Sequence, residues 1–285
     1  MQTPEVVFAL TVSDLDYAGL HAAWFLDPSG TETGVSRLDP LRGPDLPERC
    51  GGGPVVVRSG PLSITLAPHE SGVHLLVDSP ALSADIEVRR PPGHQALGVV
   101  VPFTERRFQY TVKENTLPAA GHVRARGRRY EIHGPDAWAT LDHGRGRWPY
   151  RVTWNWGAGS GRVRLGGSER VLGIQVGGRW TDGTGTVENA VTVDGALHVV
   201  DEDLDWDYDD ADWLAPWRVR SRESDSVDLT FTPSYERAER THLGVLFNDT
   251  HQCFGTWSGR LVDDTGGSID VEGVRGWAEQ VTNRW

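Results

Sequence analysis

The sequence predicts an all-β protein, a sandwich or a barrel. Three observations lead there. Short runs of β-branched and aromatic residues recur roughly every ten residues, with turn residues between them. Many of these runs alternate apolar and polar with period two. No window longer than about ten residues carries a helical period with caps at its ends.

Taken in order, strands are expected at Val6–Val12, Ala22–Leu26, Val55–Ser59, Leu62–Leu66, Val73–Val77, Leu97–Val101 and Phe108–Val112. They continue at Tyr130–His133, Val152–Trp156, Val171–Val176, Leu197–Val200, Val227–Phe231 and Gly244–Asn248. Leu62, Ile64 and Leu66 fall on one face and Ser63 and Thr65 on the other, as in a half-buried antiparallel strand. Phe108, Tyr110 and Val112 alternate in the same way with Gln109 and Thr111. Asp194-Gly195 is a two-residue hairpin turn between Val191–Val193 and Leu197–Val200. Gly51-Gly52-Gly53-Pro54 and Thr265-Gly266-Gly267 are further turns. The 34 glycines and 17 prolines are dispersed, so they mark turns and not disorder. Asn115–Gly121 also reads as turn-rich, which sets a soft boundary within Lys113–Gly127. Two domains are expected, residues 1–125 and a Trp-rich 126–285, since 11 of the 12 tryptophans follow residue 130. Closing such sheets into barrels removes their free edges.

The chain has 285 residues, enough for one large β-domain or two modest ones with a real core. Its 28 basic and 40 acidic residues give 28 − 40 = −12. That balance disfavours nucleic acid, whose phosphates need a Lys/Arg patch, and an anionic membrane surface. No run approaches the ~18 apolar residues of a membrane-spanning helix, and residues 1–19 lack the basic region and cleavage site of a secretion signal. Cys50 and Cys253 do not make a disulfide scaffold; both are expected reduced, which points to the cytoplasm. The single lysine, Lys113, reads as a product of base composition.

Four segments carry candidate chemistry. In 141–157 a carboxylate (Asp142), His143, Arg145 and Arg147 precede Trp148, Tyr150, Trp154, Asn155 and Trp156. On a strand Trp154 and Trp156 share a face opposite Asn155, and two indoles form a wall that stacks a ligand or shields a cation. Packing inside a β-core accounts for them equally well. In 177–189 a polar, glycine-rich loop ends in Glu188 and Asn189 at a strand mouth, where a carboxylate serves as an acid or base. A solvated loop with a capping Asn is the plainer alternative. The alternating acids of 201–213 lack the Gly and Glu positions of a calcium loop, so Leu204, Trp206 and Tyr208 are expected inward and Asp203, Asp205 and Asp207 outward. Finally His251 and Gln252 follow an apolar strand and can orient a substrate or move a proton; a hydrogen-bonded structural His fits equally, and Cys253 reads as an inert buried thiol. No metal-binding spacing and no nucleophile elbow occur, so neither metal nor cofactor is expected.

Several strings, among them FQYTVKENTLPAAGHV (108–123), LDHGRGRWPYRVTWNWG (141–157), GGRWTDGTGTVENA (177–190), LTFTPSYER (229–237), HQCFG (251–255) and GWAEQVTNRW (276–285), resemble the DUF2804 family over most of the chain. That family is similar, more distantly, to the lipocalin-like group of carotenoid 1,2-hydratases, tocopherol cyclases and fungal Diels–Alderases. The resemblance implies two lipocalin-like antiparallel β-barrels or half-barrels packed together, with a ligand cleft near their junction. Family members usually carry an upstream segment with a Lys-Lys-x-Trp-like motif before the first strand, whereas this sequence starts almost at that strand; a misplaced start, a natural short form and an incomplete first barrel are the open explanations.

The resulting expectation is a cofactor-independent enzyme, of hydratase, cyclase or isomerase type, acting on a hydrophobic small molecule in a Trp-lined cavity. Asp142, Glu188 and His251 are its candidate acid/base residues. Trp148, Tyr150, Trp154, Asn155, Trp156, Asn189 and Gln252 are its candidate binding residues. A desolvated carboxyl would protonate the substrate and aromatic faces would stabilise the cation. Arg145 or Arg147 pairing with Asp142 would instead make that acid structural. A non-catalytic apolar-ligand binder is the alternative, and a carbohydrate-active protein with carboxylates about 5–10 Å apart in an open groove is the next.

Overall fold

The computed structural model describes residues 1–243, 246–263 and 265–284. Among them there is no helix, and every strand ladder is antiparallel. The strands are β1 (Val7–Asp14), β2 (Ala18–Leu26), β3 (Glu32–Pro40), β4 (Val55–Ser59), β5 (Leu62–His69), β6 (Gly72–Asp78), β7 (Leu82–Arg89), β8 (Leu97–Thr104), β9 (Arg107–Ala125) and β10 (Arg128–Ile132). They continue as β11 (Trp138–Gly146), β12 (Arg151–Leu165), β13 (Ser168–Gly178), β14 (Ala190–Val193), β15 (Ala196–Val199), β16 (Leu204–Asp207), β17 (Trp217–Ser221), β18 (Val227–Leu243), β19 (Leu246–Val262) and β20 (Ser268–Arg284). Of the strand expected at Gly244–Asn248, Gly244 and Val245 lie outside the described residues, and the rest opens β19.

The chain divides into two compact units that interleave in sequence. One holds residues 1–92 and 117–139, the other residues 93–116 and 140–285. Residues 93–116 therefore belong with the Trp-rich part, although they precede the boundary expected from sequence. The first unit contains the sheet β1-β2-β3 and the succession β10-β9-β7-β6-β5-β4, with only residues 117–125 of β9. Its apolar positions (Phe8, Phe25, Leu62, Ile64, Leu82, Ile86) are almost completely buried.

The second unit is built on a nine-stranded sheet, β15-β14-β13-β12-β20-β19-β18-β17-β16, curled into a half-barrel. Its two faces differ in chemistry. One carries the core, in which Trp217, Trp257, Phe231, Leu229, Leu172 and Ile174 are inaccessible to solvent. Here the indoles fill space and do not line it. Gly157 and Gly159 make room for Trp257: a Cβ on Gly157 would lie 2.6 Å from that ring. The opposite face carries Trp154 and Trp156, and the first half of β9 lies over it. The Asn115 side chain donates to the Ile174 carbonyl at 2.6 Å, and the Thr116 amide donates to Ser160 Oγ at 3.3 Å.

Asn115–Gly121 is not a turn, as its composition suggested, but part of the continuous strand β9. Thr116 takes φ 58° and Gly121 φ 141°, so the strand bends at these points without reversing. Thr116 also marks the passage from one unit to the other. The Asp194-Gly195 hairpin forms as expected, with φ of 48° and 85° and Val193 opposite Ala196.

Gly157→Val is expected to destabilise the protein by at least ~1–3 kcal/mol through overpacking against Trp257. Trp257→Phe should recover part of that loss in the double variant, because the smaller ring vacates the contested space. Denaturant titration of the four proteins measures the coupling. Strict additivity would rule out the close approach as the cause.

Candidate functional site

Across the polar face, β9 presents the single lysine of the chain. Val112 and Glu114 flank it in β9, and Lys113 is buried, with its side chain only 9% exposed. Burying an ammonium is unfavourable unless anions accompany it. They do so from three elements. Asp142 of β11 approaches Lys113 Nζ at 2.9 Å, and Glu188, in the loop before β14, at 3.8 Å. Glu279 of β20 also acts on it electrostatically. The ammonium lies over the Trp156 ring, 3.8 Å from its centroid, in cation–π contact. Burial alone would lower the Lys113 pKa; Asp142 and Glu188 more than reverse this, so it ends raised and the amine stays charged.

The three carboxyls are not equivalent. Asp142 is partly exposed and opens the cluster to solvent. Glu188 is 2% exposed, and its Oε1 has no hydrogen-bond partner. Desolvation pushes it up to about 7 from an ordinary 4.5, against the opposing pull of Lys113 and a Trp180 hydrogen bond. Glu279 is buried with both oxygens engaged: Trp154 Nε1 donates to Oε1 at 2.9 Å and Gln252 Nε2 to Oε2 at 2.7 Å. Burial raises its pKa too, with Trp154, Lys113 and Gln252 opposing. Glu188 is thus a carboxyl that holds a proton near neutrality, its Oε1 at ion-pair distance from Lys113 but without a hydrogen-bond partner. Glu279 is a carboxyl locked in place by donors.

Local sequence explains the arrangement. Gly177 lets the Glu188 side chain lie against β13; a Cβ there would meet Glu188 Oε2 at 3.1 Å. Trp154, Trp156 and Glu279 share a face because Trp156 pairs with Glu279 and Trp154 with Val281. Aromatic rings enclose the cluster. Trp148 meets Trp154 edge-on at 5.8 Å and stacks on Trp180 at 6.4 Å, and Trp277 meets Trp156 edge-on at 5.2 Å. Trp156 Nε1 donates to Gln175 at 2.9 Å, and Trp148 Nε1 donates to Gln109.

Of the residues singled out from sequence, the structure brings together Asp142, Glu188, Trp148, Trp154, Trp156 and Gln252. Asp142 pairs with Lys113, a cation that the sequence reading did not offer it. Asn155 points to the core face, fully buried, and donates to Tyr208 Oη at 3.2 Å. Asn189 ties the chain locally, accepting from Gly177 N at 2.7 Å and donating to Glu202 O at 2.8 Å. Tyr150 is 53% exposed. His251 lies on the other side of β19 from Gln252, stacked on Trp213 at 4.0 Å with Nδ1 2.7 Å from Glu236. Cys253 is buried beside Trp213, its thiol pushed up to about 12 chiefly by desolvation, and is unreactive as a nucleophile. Sequence reasoning missed Lys113, Glu279, Trp180 and Gln175. Two signals were available: one lysine in an otherwise all-arginine chain, and a glutamate at the apolar phase of the Trp277, Glu279, Val281 alternation.

Among the described residues no group of three His, Cys, Asp or Glu side chains is placed to hold a metal ion. None of the helices that would cross a membrane is present there either. Two shallow surface depressions, one bounded by Asp39, Arg42 and Arg58 and the other by Thr33, Leu82 and Arg124, lie in the first unit.

The Glu188 carboxyl makes folding pH-dependent. Below its ordinary 4.5 it is protonated in both folded and unfolded chains and has no effect. Between 4.5 and about 7 the unfolded chain sheds the proton and the folded one keeps it, so stability falls as pH rises. The loss amounts to about 3 kcal/mol at ~1.4 kcal/mol per pH unit. Glu188→Gln should flatten the fall in Tm between pH 5 and 8. An unchanged slope would mean that Glu188 titrates normally.

Solved structures that share the fold include a hydratase and CghA. Kievitone hydratase from Nectria haematococca aligns with a TM-score of 0.55 at 11% identity, over 98% of this chain and 84% of that one. CghA with Sch210972 aligns with a TM-score of 0.51 at 12% identity, over 98% and 87%. No functionally curated protein matches the sequence. The model of the family described as "Domain of unknown function (DUF2804)" matches residues 1–285, and the chain belongs to that family.

Proposed function

We propose that the chain is an enzyme that performs acid/base chemistry on a largely apolar small molecule bound against the Trp148, Trp154 and Trp156 rings, with Glu188 as the acid. One observation carries this reading: a buried carboxyl, pushed up to about 7 chiefly by desolvation, lies among indoles 3.8 Å from the Lys113 ammonium, with no hydrogen-bond partner on Oε1. A purely structural carboxylate would have its oxygens bonded, as Glu279 does. An acid poised near the working pH is what general-acid catalysis requires. The fold of a hydratase accords with this, and the side chains present supply both the proton and a neighbouring cation. The reading needs no nucleic-acid or membrane partner, and the two free cysteines, Cys50 and Cys253, support a cytoplasmic setting.

Small molecules extracted from the purified protein and identified by mass spectrometry should include an apolar compound, and Trp154→Ala should reduce its recovery. Glu188→Gln should lower turnover of the substrate so found by about 10²-fold or more while leaving its affinity within a few-fold. Absence of any co-purifying compound, together with no thermal shift across a panel of apolar molecules, would overturn the reading. So would full activity in the Gln variant.

A further inference from the structure

The first unit carries a cluster of positive charge that the acid/base chemistry does not use. A depression of about 310 Å³ is bounded there by Asp39, Arg42, Arg58, Ser59 and Gly60. Arg37 and Asp39 stand two residues apart on β3 and so share a face. Arg42 follows that strand, and Arg58 and Ser59 end β4. Gly60 opens the two-residue turn into β5 with φ 57°. Its bare backbone lets the Arg37 guanidinium close in: a Cβ at Gly60 would lie 2.6 Å from Arg37 Nη2. Three arginines thus converge on one hollow. Among the described residues none of their guanidiniums takes a hydrogen bond or an ion pair.

The one acid at the hollow is engaged elsewhere. Ser59 Oγ, on a buried residue, donates to Asp39 Oδ1 at 2.7 Å, and Asp39 Oδ2 faces Nε2 of the buried His21 at 3.6 Å. Three guanidiniums against one carboxylate leave a surplus of two positive charges. Each guanidinium presents a planar fork of N–H donors that matches two oxygens of a phosphoryl group. A phosphomonoester carries a charge of about −1.5 to −2 near neutrality, which meets that surplus. The chain as a whole is −12 and repels anions, so an anion retained here is retained by the local group. The volume lies at the low end of small-molecule sites, about 300 Å³, and the three arginines are exposed. It suits a phosphoryl group whose remaining substituent projects into solvent. We propose that this hollow binds the phosphomonoester group of a soluble small molecule or a lipid, with Arg37, Arg42 and Arg58 on its oxygens. It draws on no residue of the acid/base site.

Phenyl phosphate and benzenesulfonate test this on the full chain at pH 8 by calorimetric titration. Both place a tetrahedral oxyanion on the same ring, the first as a dianion and the second as a monoanion. Phenyl phosphate should bind about fivefold or more tightly than the sulfonate. Arg42→Gln and Arg58→Gln should each weaken it by about fivefold or more, with Tm unchanged because both side chains are exposed. Arg124→Gln, beside the other depression, should leave the affinity as it is. Absence of phenyl phosphate binding, equal affinity for the two anions, or an equal loss in Arg124→Gln overturns the proposal. Unchanged affinity in both Arg42→Gln and Arg58→Gln does so too. Co-sedimentation with phosphatidylcholine vesicles containing phosphatidate, lost in Arg42→Gln, assigns the phosphate to a lipid. Phenyl phosphate binding without co-sedimentation assigns it to a soluble ester, and either result supports the site.

Discussion

A buried ammonium obliges the surrounding chain to bring it anions. Lys113 Nζ is removed from water on a strand that lies against a sheet face, and the uncompensated cost of that position is several kcal/mol. Asp142, Glu188 and Glu279 come to it from β11, a loop and β20, which are far apart in sequence. Three carboxyls are more than one cation can neutralise. The partly exposed Asp142 pairs most closely with it, and the two deeply buried glutamates are left with raised pKa values. Desolvation is the first cause of both shifts and outweighs the opposing pull of the lysine.

The two glutamates are then separated by their hydrogen bonds. Trp154 and Gln252 are pure donors toward Glu279, and they hold both of its oxygens. Glu188 keeps one oxygen without a partner. An unsatisfied buried polar atom is unfavourable, and Glu188 Oε1 is one of a small set of such atoms among the described residues. The tryptophans that hold the rings around this spot are themselves fixed by their N–H groups, to Glu279, Gln175 and Gln109, which orients aromatic surface that apolar packing alone would leave freer.

The half-barrel assigns its tryptophans to two jobs by strand phase. Trp257 and Trp217 fall on the core face and are packed solid, with Gly157 and Gly159 on β12 yielding space to Trp257. Trp154 and Trp156, one residue out of phase with those glycines, fall on the opposite face among charged groups. The expectation of indoles lining a hollow interior thus joined two populations that the pleat keeps apart.

Much of the fold was legible in the sequence because strand identity is local. Period-two alternation at Leu62–Leu66, the Asp194-Gly195 turn and the absence of capped helical periods depend on neighbours within a few residues. The opposition of Trp154 and Trp156 to Asn155 follows from the pleat alone, and Glu188 was recognisable as a carboxylate at a strand mouth. The turn read into Asn115–Gly121 failed because composition cannot tell a reversal from a bend absorbed inside a long strand. The environment of each site residue was beyond the sequence altogether. That Lys113 meets Asp142 and Glu188, that Glu279 faces Trp154, and that His251 falls on the other face from Gln252 are outcomes of pairing among β9, β11, β12, β19 and β20. Charge state and hydrogen bonding depend on distances between residues remote in the chain, and only the folded sheet sets those distances.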